Sequence, residues 1–440
     1  MSSPAPEPYV VEDCRGVMQL MSDGTVRRSA DPPVAAEITA DDCGVEWKDV
    51  TWEPEHGLNV RLYRPLRAAN DARIPVVAYF HGGGFCIGSG RWSSFHSCCL
   101  RLAAELPAVV LSFYYRLAPE HRIPAAQEDG AKAMSWLRAT AAADPWLANA
   151  ADFARVFVAG DSAGGNIAHH VATAFGKTGL GPAVRLRGHV LLMPAMAGEA
   201  RTRAELECPP GAYLTTETCD KYCRLALPGG ATRDHPAINP AGPEAPGLEA
   251  VEMPPVLVVA AERDVLRERN AAYARRMEWG KDEEYVELAG VEHGFFSRDP
   301  WSERADELLR LVRRFVVEHH DCLHLRFSSS TGTVEACRCP RSCKSPPATC
   351  STSSCSSTRS TSAAASRSPP STRSTPARSS SPSASPATST TTTSSRGFEP
   401  TAVAAPPAAT GGTRSPGAAC SSSSPARTTS SRSSCSPGSP

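Results

Sequence analysis

The 440 residues carry 46 Lys or Arg against 46 Asp or Glu, but that balance averages two unlike pieces: from Leu325 onward twelve basic residues face two acids, so the first 324 residues are net acidic by ten. An acidic body offers no purchase to a nucleic-acid backbone, and the arginines of the tail are dispersed among Ser and Thr rather than gathered into a patch. No stretch approaches 18 uninterrupted apolar residues, so no membrane span is expected.

The opening Met1-Ser2-Ser3-Pro4-Ala5-Pro6 has no charged leader followed by an apolar run, so no secretory signal is expected and the chain reads as cytoplasmic, with nuclear entry left open. Residues 1–40 precede the first clear strand and read as an N-terminal cap over a pocket, or as a cover for a sheet edge. Within them Asp23-Gly24 sits between apolar positions as a hairpin turn would, while Val17, Leu20 and Met21 also suit a helix.

From Val45 the pattern is sharper. Val45 to Glu53 and Leu58 to Arg64 form a candidate antiparallel pair. Then come short, wholly apolar runs: Ile74 to Phe80, Ala108 to Phe113, Val156 to Ala159, Val190 to Met193 and Val256 to Ala260, as expected of strands buried on both faces. Helix-length segments lie between them at Ser94 to Glu105, Ala125 to Thr140, Asn166 to Phe175 and Arg267 to Trp279. This alternation predicts an α/β fold, a mostly parallel central sheet with helices on both faces, occupying residues 41–321. In such sheets the chemistry gathers beyond the C-terminal ends of the strands.

Three strand ends carry the residues that such chemistry needs. After the first buried strand stands His81-Gly82-Gly83-Gly84-Phe85, where consecutive glycines let backbone N–H groups face a ligand. A phosphate-binding reading is weaker, because the Lys and Ser/Thr of a P-loop are missing. After Val156 to Ala159 comes Gly160-Asp161-Ser162-Ala163-Gly164-Gly165, a tight Gly-x-Ser-x-Gly turn opening a helix, which is the pattern of a nucleophile elbow. Ser162 is the expected nucleophile, and the N–H groups of Ala163, Gly83 and Gly84 the expected oxyanion donors, with His81, Gly82, Gly160, Asp161 and Gly164 as supporting residues. Asp264 follows the strand at Val256, and His293 follows the strand-like Glu284 to Leu288. The order Ser162, Asp264, His293 is that of the α/β-hydrolases. Alone, Asp264 reads equally as a cap for the next helix.

The other histidines read as structural: His169 and His170 on the helix behind the serine, His121 in loop scaffolding, and His96 and His189 without evident partners. Cys219 and Cys223, four apart, share a helix face if a helix forms there. Without a matching pair nearby no metal site is expected, and the cysteines read as reduced, packed thiols. From about Cys322 the chain is Ser, Thr, Pro, Ala and Arg without apolar periodicity, so residues 322–440 are expected to be disordered, either as an interaction tail or as a product of a faulty gene model. Cys337, Cys339 and Cys343 are spaced too irregularly for a metal site.

HGGGFCIGSG from His81, YYRLAPEHRIPAA from Tyr114, GDSAGGNIAHH from Gly160, LALPGGATRDHPAINP from Leu225 and VEHGFF from Val291 together resemble plant carboxylesterases of the hormone-sensitive-lipase-like group, across roughly residues 8–320. The sequence looks most like the carboxylesterase 15 type, whose members include strigolactone-cleaving esterases. The resemblance implies a serine hydrolase acting on small-molecule carboxylic esters with no cofactor, and it leaves monomer and dimer open. Related scaffolds serve as gibberellin receptors, which lack the catalytic His, and as isoflavanone dehydratases. Two positions depart from the group. Tyr114 stands where an Asp is usual, which puts the anchoring of the Arg116 to His121 loop in doubt. Small residues occupy Met193 to Ala197 where aromatic ones are common, implying a wider pocket if that segment lines it.

Overall fold

The computed structural model describes residues 7–29, 43–66, 73–140, 143–176, 179–181, 183–248, 251–277, 282–319, 325–327 and 334–336. Its centre is an eight-stranded sheet in the order β11-β10-β9-β8-β6-β7-β5-β4. These strands are β4 (Val45–Glu53), β5 (Leu58–Pro65), β6 (Ile74–Phe80), β7 (Val109–Phe113), β8 (Ala151–Asp161), β9 (Leu186–Leu192), β10 (Val256–Ala261) and β11 (Glu283–Leu288). β4 and β5 are antiparallel to their neighbours, and all the pairings from β7 to β11 are parallel.

The apolar runs form strands because they alternate between two buried faces. Val76, Ala78 and Phe80 of β6 join one core, with Met134 and Ile167 from the helices Ala125–Thr140 and Ala163–Gly176. Val77 and Tyr79 join the other, with Leu100 and Phe315 from Ser93–Glu105 and Glu303–His319. Each fully buried Phe or Leu contributes roughly 1.5–3 kcal/mol. Along β6, β7 and β10 neither face reaches water, so these strands carry no polar alternation that would mark them as half exposed.

Ahead of the sheet, β1 (Val10–Cys14), β2 (Met18–Met21) and β3 (Val26–Arg28) form a separate antiparallel sheet. The Asp23-Gly24 turn is therefore a hairpin, and the helical alternative fails. Arg28 fastens this hairpin to the body through Glu120 (2.7 Å) and the carbonyls of Cys86 (2.6 Å) and Ala118 (2.9 Å). Residues 30–40, also read as cap, lie outside the described residues, as does Trp279 at the expected end of its helix.

Besides three short helices, two longer ones escaped the sequence reading. Thr216–Ala226 begins at Thr215, whose hydroxyl accepts from the Thr218 N–H, and Glu303–His319 is a strongly amphipathic helix after the last strand of the sheet. Beyond residue 319 the described backbone is one antiparallel pair, β12 (Leu325–Phe327) with β13 (Val334–Ala336). The rest of the expected disordered segment lies outside the described residues, including Cys337, Cys339 and Cys343.

The loop after β7 is anchored despite Tyr114. Arg116 donates from its backbone N–H (2.8 Å) and its guanidinium (2.7 Å) to the buried carboxylate of Asp129. The anchor is thus Arg116 itself, and the doubt raised by the missing Asp does not hold. His96 also has partners after all: its Nδ1 lies 2.9 Å from the Tyr63 hydroxyl.

Candidate active site

At the end of β8, Ser162 adopts φ 52°, a left-handed conformation uncommon for a residue with a side chain. The strain is held by hydrogen bonds on both sides: its N–H donates to Leu192 (2.9 Å) and its carbonyl accepts from Ala195 (2.8 Å) and Asn166 (3.1 Å). Tight packing explains the flanking glycines. A β-carbon on Gly164 would lie 1.9 Å from the carbonyl oxygen of Phe80, so only glycine lets the helix start this close to β6.

The buried carboxylate of Asp161 ties this turn to the glycine loop. Its Oδ1 accepts from the Tyr79 hydroxyl (2.6 Å) and from the Gly82 N–H (2.9 Å). Burial pushes its pKa up to about 6, against the hydrogen bond from Tyr79, the charge of His293 and the Gly82 N–H, which lower it. His81 is equally buried. Its Nδ1 lies 2.8 Å from the Gly82 carbonyl, its ring stacks 4.5 Å from that of Tyr115, and burial lowers its pKa to about 4. It is neutral at physiological pH and acts as a wedge under the loop. Among the described residues no internal acceptor takes the N–H of Gly83, Gly84 or Ala163, which leaves three donors free at the meeting of loop and helix.

The loops after β10 and β11 are stitched together by the Arg263 N–H on Val291 and the Glu262 N–H on Leu288, both 3.0 Å. This brings His293 Nδ1 to 2.7 Å from Asp264 Oδ2, while Oδ1 accepts from the Leu266 N–H at 3.0 Å. Asp264 therefore orients an imidazole and also holds the turn that leads into the Arg267–Met277 helix, without capping that helix. Both side chains are at least nine-tenths buried.

Ser162, Asp161, Gly83, Gly84 and His293 line one cavity of about 450 Å³, a size typical of small-molecule sites. No hydrogen bond joins the Ser162 hydroxyl to His293 in this arrangement; such bonds are often long before substrate binds. Most of the cavity wall is apolar, including Ile87, Trp92, Phe95 and Leu266. The small residues flagged by sequence, Ala195 and Ala197, do line it, together with Met196. So do Arg15 and Val17 of the N-terminal cap.

From the Thr216–Ala226 helix, Cys219, Tyr222 and Cys223 also face the cavity. The shared helix face of the two cysteines was legible from their spacing. Burial raises both thiols, that of Cys223 to about 12. Neither Cys219 nor Cys223 forms a disulfide, and these two serve as apolar lining. Tyr213, Tyr222 and Arg298 had no signal in the sequence, because nothing local distinguishes a wall residue from a surface one.

A family model described as the alpha/beta hydrolase fold matches residues 77–297. The chain is 37% identical over 270 residues to probable carboxylesterase 6 of Arabidopsis thaliana, covering 59% of this chain and 77% of the relative. It is 33% identical to the gibberellin receptor GID1A of the same plant, covering 62% and 83%. Among solved structures, a Pyrobaculum calidifontis esterase superposes with a TM-score of 0.53 at 30% identity, covering 65% of this chain and 86% of the esterase. By fold, matched region and relatives, the chain belongs to the α/β-hydrolase family and, within it, to the plant hormone-sensitive-lipase-like carboxylesterases, a group of carboxylic ester hydrolases.

Proposed function

We propose that Ser162 attacks the carbonyl of a small-molecule carboxylic ester while His293 takes its proton, Asp264 fixes the imidazole, and Gly83, Gly84 and Ala163 hold the oxyanion. The tetrahedral intermediate collapses as His293 protonates the leaving alkoxide. Water, deprotonated by the same imidazole, then releases the acyl group and regenerates Ser162. The observation that carries this reading is the buried 2.7 Å Asp264–His293 pair, whose imidazole lines the same cavity as the strained serine. No cofactor enters the scheme.

Within this class we favour hormone or specialised-metabolite esters, strigolactones among them, because the cavity is apolar and roomy for a small fused-ring compound. A non-hydrolytic gibberellin receptor is the other reading, and similarity to GID1A favours it. It would leave the Asp264–His293 pair without a task.

Ser162→Ala should lower kcat on a p-nitrophenyl ester by a factor on the order of 10⁶. Turnover by that variant equal to wild type would reject the assignment. Assaying strigolactone, simple acetates and a hydroxyisoflavanone beside gibberellin binding separates esterase, dehydratase and receptor.

A further inference from the structure

The cavity has one polar flank. Arg15 and Arg298 both line it, and the guanidinium carbon of each lies 4.0 Å from the ring centroid of Tyr213, a third lining residue. One aromatic ring thus holds two positive charges within about 8 Å of one another, a distance at which they repel unless an anion joins them.

Their neutralisation is incomplete. Arg298 has a carboxylate partner, Glu292 at 3.4 Å. Arg15 forms no ion pair among the described residues; it donates from Nη2 to the Tyr213 carbonyl at 2.6 Å. The acid on its own turn, Asp13, is already taken by the Gly16 N–H (2.7 Å) and by Gln19 Nε2 (2.7 Å). Both arginines are exposed at the residue level, so they stand at the cavity mouth rather than at its floor.

Arg15 is also held where an arginine is locally disfavoured. It occupies the tight turn between β1 and β2 at φ 59°, followed by Gly16 at φ 67°. Turns with two such residues select Asn, Asp or Gly, and a long side chain there is mildly strained. The hairpin would form more easily with Asn, so what Arg15 adds is its charge on the cavity wall.

We infer that the preferred substrate carries a carboxylate away from the scissile bond, and that Arg15, steadied by Tyr213 and assisted by Arg298, receives it. This rests on the esterase reading above and narrows it from small-molecule carboxylic esters in general to those that also carry a free carboxylate. The guanidinium fork matches a carboxylate through two parallel N–H···O bonds. Tyr213 keeps that fork from collapsing onto the protein surface. Arg15 and Arg298 are specificity residues here; neither touches the reacting atoms.

The test compares two matched pairs of esters: 4-nitrophenyl hydrogen glutarate with its methyl ester, and 3-carboxyphenyl acetate with its methyl ester. The first pair places the charge on the acyl side and the second on the alcohol side. In the wild type at least one charged member should exceed its neutral partner in kcat/KM, and the advantage should shrink as salt is raised. Arg15→Asn, which suits the turn, should lower that charged-to-neutral ratio about tenfold, mainly through KM. Arg15→Lys should restore part of it, since it keeps the charge and loses the fork. Arg298→Gln should lower it further in combination.

If the neutral members are cleaved and neither charged member is favoured, or if the preference survives both substitutions, the anionic subsite is wrong and the esterase stands. If no ester of either pair is cleaved, the esterase reading fails and the subsite falls with it.

Discussion

Gly84 lies flat against the ring of Tyr222: a β-carbon on Gly84 would sit 2.3 Å from Tyr222 Cγ. The glycine loop is therefore pressed directly by a residue of the cavity-lining helix Thr216–Ala226, and that helix helps set the position of the loop's N–H groups. Gly84 also has φ 60°, so a side chain there meets both a clash and a strained backbone. Gly84→Ala should lower kcat/KM on a small nitrophenyl ester by about 10²–10³, the loss expected for one misplaced oxyanion donor. Adding Tyr222→Ala relieves the clash but not the backbone strain, and should recover only part of the activity. Full activity in Gly84→Ala would show that the loop donors are not used.

Asp264→Asn keeps an acceptor for the Leu266 N–H and removes the carboxylate that faces His293 Nδ1. The amide N–H then donates to Nδ1 and holds the imidazole in the wrong tautomer, with its proton on Nε2, and kcat should fall by up to about 10⁴ with little change in melting temperature. Stopped or steady-state assays on the same ester, with a melting curve, check both halves. An unaltered kcat would assign Asp264 to holding the turn at Leu266 alone.

The raised pKa of Asp161 makes a signed prediction. Its carboxyl titrates near 3.8 when exposed and near about 6 when folded. Between those values the folded chain keeps a proton that the unfolded chain has released. The group's stabilising contribution is therefore complete below pH 3.8 and is lost as pH rises through about 6. Asp161→Asn is neutral throughout. Its melting temperature relative to wild type should be higher at about pH 8 than at about pH 5. A difference independent of pH would mean that Asp161 is ionised across the range.

Glu205, with its carboxylate almost wholly buried, is shared by Arg233 (2.6 Å) and Arg269 (2.7 Å). It also closes a capping box with Thr202, whose N–H donates to it at 2.8 Å. Arg269 comes from the Arg267–Met277 helix beside the sheet, and Arg233 bonds as well to Asp220 of the Thr216–Ala226 helix. This carboxylate thus fastens the roof of the cavity to the body. Glu205→Gln leaves two buried guanidinium groups short of their counter-charge and should cost roughly 3–5 kcal/mol in denaturant unfolding. A loss below 1 kcal/mol would show the network to be dispensable.

What the sequence determined by itself was everything that local chemistry encodes. Strands such as Val256–Ala261 were legible because burial on both faces demands continuous apolar runs. Ser162 and the glycines around it were legible because a sharp strand-to-helix turn admits so few residues. Asp264 and His293 were legible as candidates from their places at strand ends, and their order in the chain paired them.

The tertiary structure alone decided which distant residues share a wall. Arg15, Tyr213 and Arg298 come from a cap turn, a loop before a roof helix and the segment after His293, and nothing within a few residues of each signals the others. The roof helix Thr216–Ala226 was missed for a related reason: little of it is buried in the main core, so its apolar pattern is thin. The contact of Tyr222 with Gly84, and the anchoring of the Arg116 loop on Asp129 in place of an acid at position 114, are likewise products of packing. A fold selects its backbone through many short-range constraints, whereas a binding cavity is the space left where remote segments meet, and its shape and charge exist only once they have met.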